Sequence, residues 1–386
     1  MGSTSKIYLS KEALKTNFEF LRSRIEPEVK LSAVVKGNAY GHGIEEYIPL
    51  AESVGFDHFS VFSSDEAKRV KKASTQNSPV LIMGEIAEED MEWVIQEDVH
   101  FFVFEIERVK EALVHAKEYN KKAKIHIEFE TGFNRTGFNA KELVPLVELL
   151  KSNREFIDVE GVCTHYAGAE SVANHVRVQK QIKTFKKLHQ WLIGQGITPK
   201  MRHTACSAAT MSYPKTRMDM VRVGILQYGF WPSREVFIDY LAKARNHKDK
   251  QDPLRRVISW KSTVMSVKHV KTGEFIGYGT SFLAQQNMKV AAVPVGYAHG
   301  YSRELSNQGR VLINGRRVGV IGIVNMNMLM MDITDVPNVN VGDDVILIGV
   351  DSGVEITVSA FGELSNQLNY ELLTRLPMNI PRYLVD

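Results

Sequence analysis

Lys36 ends a short apolar run and opens a glycine-rich turn, Ala33-Val34-Val35-Lys36-Gly37-Asn38-Ala39-Tyr40-Gly41-His42-Gly43. Burial disfavours an ammonium and leaves a neutral amine able to form a Schiff base or take a proton. In isolation, Val-Val-Lys-Gly is the ordinary signature of a solvated lysine at a strand end. Other chemically capable groups follow apolar runs in the same way. These are Arg135 in Glu128-Phe129-Glu130-Thr131-Gly132-Phe133-Asn134-Arg135-Thr136-Gly137, His165 in Cys163-Thr164-His165-Tyr166-Ala167, Ser207 in His203-Thr204-Ala205-Cys206-Ser207-Ala208, and Arg222 just ahead of Gly224 and Ile225. Taken singly, His165 suits a satisfied core histidine and Arg222 a paired structural arginine. Together with Lys36 they have the makings of an anion and amine site.

The elements between these residues tell how they meet. Strand-like runs at Leu31–Val35, His58–Phe62, Val80–Met83, His100–Val103, Lys124–Phe129, Asp158–Thr164, Lys200–Thr204 and Met220–Val223 alternate with helical patterns. Ile44, Tyr47, Ile48 and Ala51 make one such pattern, and Ile106, Val109, Leu113 and Ala116 another. Eight strand–helix units are the arithmetic of a (β/α)8 TIM-type barrel, with a doubly wound open sheet as the alternative. In a barrel the C-terminal strand ends share one mouth, so Lys36, Arg135, His165, Ser207 and Arg222 would converge there. Glycine, serine and backbone N–H groups after the last two strands are where such barrels hold a phosphate. A phosphate cradle, a Schiff-base lysine and facing arginines call for pyridoxal 5'-phosphate. No metal is expected.

Composition narrows the class. The chain has 386 residues with 48 basic and 45 acidic side chains and shows no concentrated basic stripe, which argues against nucleic acid or a membrane surface as partner. Cys163 and Cys206, the two cysteines, both fall in apolar, strand-like surroundings and read as reduced core residues of a cytoplasmic protein. The first six residues lack the apolar core of a signal peptide, and no run suits a transmembrane helix.

After Pro232 the texture changes. A charged stretch around residues 243–252 reads as a surface insertion or linker, assigned to 235–256. From Val257 onward, short alternating segments separated by Asn314-Gly315, Gly342-Asp343 and Ser352-Gly353 predict an all-β domain over 257–386. Residues 11–234 form the expected barrel, and residues 1–10 hold a strand, at Ile7–Leu9, that would join the C-terminal domain.

The Lys36 segment closely resembles the cofactor-lysine signature of alanine racemases, which are fold-type III pyridoxal-phosphate enzymes. The resemblance extends to Arg222-Val223-Gly224-Ile225-Leu226-Gln227-Tyr228-Gly229, Gly277-Tyr278-Gly279, Gly296-Tyr297-Ala298-His299-Gly300-Tyr301 and Leu368-Asn369-Tyr370-Glu371. It implies an isomerase that racemises alanine with two bases, Lys36 and Tyr278, on opposite faces of the α-carbon. One base returning its own proton would mostly restore the starting hand. It also implies that Tyr278 reaches the partner subunit's mouth, making an obligatory homodimer with shared active sites. Arg222 then faces the pyridine nitrogen. Arg135 positions the cofactor's phenolic oxygen and the substrate carboxylate, which the Met326 N–H also binds. Tyr40, Ser207, Gly224, Ile225 and Tyr370 hold the phosphate, His165 neighbours the ring, and Tyr297 lines the entryway.

The chain departs from that pattern at several positions. Glu128 stands where many relatives have a lysine, often carbamylated, and would supply a carboxylate directly to Arg135. Asn327 replaces a usual aspartate, Ile323 an arginine, His299 an aspartate, Phe133-Asn134 a Met-Gly pair and Cys206 an asparagine. These changes open the alternative of a broad-specificity, serine or other amino-acid racemase. More distant alternatives are a fold-type III decarboxylase and a non-catalytic pyridoxal-phosphate carrier. The carriers resemble the barrel alone, and the decarboxylases favour a carboxylate where Arg222 stands.

Overall fold

The computed structural model describes residues 3–243, 251–358, 361 and 369–386. It divides into two compact units, one built from Glu12–Lys36 and Ile48–Arg255, the other from Met1–Lys11, Gly37–Tyr47 and Arg256–Asp386. The chain begins with β1 (Ser5–Ser10), which belongs to the second unit.

The first unit is a barrel of eight parallel strands, β2 (Lys30–Val34), β3 (Phe59–Val61), β4 (Val80–Ile82), β5 (His100–Val103), β6 (Ala123–Glu128), β7 (Ile157–Cys163), β8 (Met201–His203) and β9 (Met220–Val223). They pair in the order β8-β7-β6-β5-β4-β3-β2-β9. The gap between β8 and β9 is bridged by backbone bonds from Asp219 N to Arg202 O (3.1 Å) and from Arg222 N to Ala205 O (2.9 Å). The expected barrel is therefore present and nearly closed, and an open doubly wound sheet is not. The strands are short and apolar because helices cover their outer face while the barrel interior covers the other. Helix Ile106–Glu118 shows the matching pattern, burying Val109, Ala112, Leu113 and Ala116.

The barrel interior is unusually polar. Beside the apolar cluster Leu81, Phe102, Cys163 and Met220 it buries Ser32, Ser60, His58, His126, His203 and Arg222. A bulge interrupts the β6–β7 ladder, where Ile125 pairs with Val159 and His126 with Gly161, leaving Glu160 as the extra residue.

The second unit is mainly β. Its strands are β1, β10 (Ile258–Thr263), β11 (Ser266–Val270), β12 (Met288–Val293), β13 (Arg310–Ile313), β14 (Arg316–Ile321), β15 (Leu329–Asp332), β16 (Asp344–Asp351), β17 (Val354–Ile356) and β18 (Arg382–Val385). The sheet order is β11-β12-β15-β14-β13-β16-β10-β1-β18, with β17 on β16. β1 lies antiparallel to β10 and parallel to β18. Asn314 and Gly315 have φ of 49° and 70°, the conformation that a two-residue hairpin between β13 and β14 demands. The unit also carries a helix, Asn369–Thr374.

Two readings need adjustment. The stretch expected as linker begins with a helix, Arg234–Lys243, because Trp231 and Tyr240 pack against Phe20, with ring centroids 6.1 and 5.7 Å from it. Residues 244–250 of the charged run lie outside the described residues. Cys163 is buried in β7, but Cys206 precedes the short helix Ser207–Ser212 rather than sitting in a strand.

Candidate active site

Lys36 follows β2 at the C-terminal end of the barrel. Its side chain opens to the mouth, yet protein surrounds it on most sides. That burial, with Arg135 and Arg222 adding to it, lowers the amine's pKa, while Glu66 pulls the other way.

Arg222, at the end of β9, is buried. Its Nη2 donates to Thr164 O (2.9 Å), and its Nη1 donates to His203 O (2.7 Å) and to His203 Nδ1. The guanidinium also lies over the Phe102 ring, 5.5 Å from its centroid. Ser207 Oγ accepts from Gly224 N (2.9 Å), which leaves its own proton free to donate, and Ile225 begins a single turn that runs to Tyr228. His165 packs its ring 5.6 Å from Phe133, and Arg135 covers the same ring at 4.4 Å. Burial, with Arg222, Arg135 and Lys36 around it, pushes His165 down to about 3, so its imidazole is neutral at physiological pH.

Glu128 is buried at the end of β6, where desolvation raises its pKa. The Thr136 hydroxyl, Arg222 and Arg135 act in the opposite direction. The anticipated ion pair between Glu128 and Arg135 does not form, since Arg135 turns to Phe133 and solvent. The loop between them is shaped instead by Glu130, whose carboxylate accepts from Gly132 N and from Asn134 N (2.8 Å).

The remaining sequence-derived residues belong to the second unit. Directly after Lys36, Gly37, Asn38, Ala39 and Tyr40 take φ of 62°, 56°, 53° and 52°, a complete left-handed turn. Such a turn costs about 1–2 kcal/mol for each non-glycine residue, and specific bonds offset that cost. Asn38 Oδ1 accepts from Ile44 N (3.2 Å), His42 Nδ1 lies 3.0 and 3.1 Å from the carbonyls of Ala39 and Tyr40, and Arg382 Nη2 donates to Gly41 O (2.9 Å). The turn brings Tyr40 against Tyr370, with centroids 5.9 Å apart. Tyr278 sits between Gly277 (φ 78°) and Gly279 (φ 71°) and is 71% exposed. Tyr297 and Met326 are also exposed, on two loops clasped by Tyr297 N to Asn325 O (3.0 Å) and Ala298 N to Met326 O (2.9 Å). Leu368 lies outside the described residues.

Sequence reasoning passed over three residues at the mouth. Glu66 bears on Lys36 and caps Phe62 N (3.0 Å); its trace in the sequence is the Ser63–Glu66 spacing of a helix start. Gln181 is fully buried and ties the fifth and sixth strand-end loops, donating to Thr131 Oγ1 (3.2 Å) and His165 O (3.0 Å) and accepting from Ala167 N (2.9 Å). His203 holds Arg222. Nothing local marks either of the last two.

A (β/α)8 barrel with a partly desolvated lysine at its mouth, continued in sequence by a mainly β domain, defines a two-domain barrel protein with an amine suited to Schiff-base or proton chemistry. The N-terminal domain model of alanine racemases matches residues 9–232, and the C-terminal domain model matches residues 257–384. An alanine racemase of Leptospira interrogans is 34% identical over 383 residues, covering 99% of this chain and 96% of its own. One from Methanococcus maripaludis is 35% identical over 372 residues, covering 96% and 95%. Among solved structures, alanine racemase of Clostridium difficile 630 superposes with a TM-score of 0.90 at 29% identity, covering 100% of this chain and 96% of that one. The Bacillus anthracis alanine racemase with bound L-Ala-P gives 0.89 at 31%, with the same coverage. The chain belongs to the alanine racemase family.

Proposed function

We propose that the protein is a pyridoxal-phosphate-dependent racemase that interconverts L- and D-alanine, acting as a cytoplasmic homodimer. The observation that carries this reading is Lys36, an amine of lowered pKa at the barrel mouth, flanked by two arginines in a chain that matches alanine racemases end to end. The residues suit the cofactor. Lys36 offers the amine for its aldehyde, the Ser207 hydroxyl and the N–H groups at Gly224 and Ile225 suit a phosphate, and Arg222 offers a fixed cation. By the family resemblance, Tyr40 and Tyr370, whose rings lie 5.9 Å apart in the second unit, would offer phenols to a phosphate.

When bound, pyridoxal phosphate supplies the electron sink that makes an α-proton removable. Lys36 Nζ moves that proton on one face of the α-carbon, and Tyr278 Oη moves it on the other. Arg222 stays protonated, so it would offer the bound cofactor's ring nitrogen a hydrogen bond without passing it a proton, which would keep the sink weak and limit transamination. Arg135 and the Met326 N–H hold the substrate carboxylate, His165 packs as a neutral ring beside the cofactor, and Tyr297 lines the approach. Residues 11–234 thus form the cofactor-binding domain and 257–386 the domain that supplies the opposing base. The exposure of Tyr278, together with Phe275 and Met326, supports their covering by a partner subunit.

The test is optical. Purified protein with pyridoxal phosphate should interconvert L- and D-alanine, and Lys36→Ala and Tyr278→Phe should each lose activity in both directions by at least about a hundredfold. Mixed dimers of the two inactive variants should regain about a quarter of wild-type activity, because half the dimers carry one intact site. Release of CO2 without racemisation would instead establish the decarboxylase. A panel including serine and longer amino acids reads the breadth of specificity, since one methylene is worth only about 1–3 kcal/mol.

A further inference from the structure

Arg222 is the upper end of a line of side chains that runs down through the barrel. His203 Nδ1 accepts from Arg222 Nη1. His203 Nε2 lies 2.7 Å from His126 Nδ1, and His126 Nε2 lies 3.1 Å from His100 Nδ1. The three rings come from β8, β6 and β5, with successive centroids 4.9 and 5.3 Å apart. Phe102 flanks the upper two, at 5.8 Å from His203 and 6.4 Å from His126.

One end of this line has no freedom. A guanidinium only donates, so His203 Nδ1 must be bare and its proton must sit on Nε2. That proton makes His126 Nδ1 an acceptor, which puts the His126 proton on Nε2. The same step at His100 leaves Nδ1 bare and the proton on Nε2, at the edge of the barrel. Each neighbour therefore dictates the next ring's tautomer. Adding a proton anywhere in the line would set two donors against each other and end with a cation facing Arg222.

The backbone is built around this line. A Cβ on Gly161 would fall 2.4 Å from His126 Nδ1 and 3.0 Å from His203 Nε2, so only glycine lets the two rings meet. Gly161 reaches that position because of the β6–β7 bulge at Glu160. Burial and mutual repulsion hold the pKa values of His126 and His203 well below the usual range, in keeping with neutral rings.

We propose that His203, His126 and His100 form a relay of fixed tautomers that positions Arg222, so that His126 and His100, which lie below the mouth, are positioning residues for the chemistry above them. The tautomer assignment stands apart from the racemase reading, and its catalytic consequence rests on that reading.

Nitrogen-15 NMR of histidine-labelled holoenzyme at pH 7.5 tests the assignment directly, with ring resonances identified by single substitutions. All three rings should be neutral and protonated at Nε2. A doubly protonated ring, or Nδ1–H at His203 or His126, overturns the relay whatever the variants do. His126→Phe keeps the ring but leaves the His203 Nε2–H buried without an acceptor. It should lower kcat about ten- to a hundredfold with KM within about twofold, and alter the absorption of the bound cofactor. His126→Asn places an oxygen where Nδ1 accepts and should recover most of that loss. Unchanged kcat and spectrum in a folded His126→Phe protein would refute the positioning role. A wild-type enzyme with no racemase activity would sink the proposed function and leave the NMR result standing.

Discussion

Glu128 carries a conflict that its neighbours only partly resolve. A carboxylate is desolvated at the end of β6, Arg222 and Arg135 only partly offset that, and Arg135 faces elsewhere. Its pKa is raised in the folded protein, so the folded state binds more protons than the unfolded one above about pH 4.3. Stability from this group is then lost as pH rises through that window. Glu128→Gln removes the charge while keeping the shape. It should raise Tm by about 1–3 °C at pH 7.5, with the gain shrinking toward pH 4.5 in calorimetric scans. Turnover should fall or KM rise in the same variant, because the carboxylate's field on Arg135 and Arg222 is lost. Unchanged kinetics would mean that Glu128 only fills space.

The left-handed turn after Lys36 is the element that links the barrel lysine to Tyr40, and it survives because its neighbours leave it no alternative. Gly41 shows how closely it is held. With φ of 78°, a Cβ there would lie 1.9 Å from the Leu373 carbonyl oxygen, a backbone atom that cannot swing aside. Gly41→Ala should therefore lower Tm by at least about 5 °C and weaken retention of pyridoxal phosphate, measured by dialysis and absorbance; a variant with wild-type Tm would show that the helix Asn369–Thr374 can move away. The sequence marked this segment as a glycine-rich turn, and a turn is present there. It did not reveal the handedness, because Ala39 and Tyr40 have no local reason to adopt positive φ. Bonds from Ile44, His42 and Arg382 impose it, and Arg382 is 341 residues from the carbonyl it holds.

At the scale of the whole molecule, buried neutral histidines set the response to acid. Burial pushes His42, His58 and His165 down to about 3 and His100 to about 4, and His126 and His203 lie well below their ordinary value. In the unfolded chain each would titrate near 6.5, so below that pH the unfolded state binds more protons. The stability they permit is complete above about pH 6.5 and is lost as pH falls toward the folded values. Each contributes up to about 1.4 kcal/mol per pH unit in that range. Tm should drop steeply between pH 6.5 and 5, and a flat Tm over that interval would contradict the neutral, buried assignment. The eight strands of the barrel, its lysine, the two arginines and the start of the β domain were all legible in the sequence. They rest on local periodicity, on turn chemistry and on motifs that contiguous residues carry. His100, His126 and His203 were also in plain view, each inside a strand correctly placed, yet nothing in the sequence joined them. Their partnership depends on which strands become neighbours, on a bulge that brings Gly161 beside His126, and on closure of the barrel around them. Lys36 was marked as a candidate reactive lysine by the residues beside it. How Arg222 is held in place, and at what cost in acid, was decided only when distant strands closed into one wall, because hydrogen bonds between side chains depend on distance in space and not on distance along the chain.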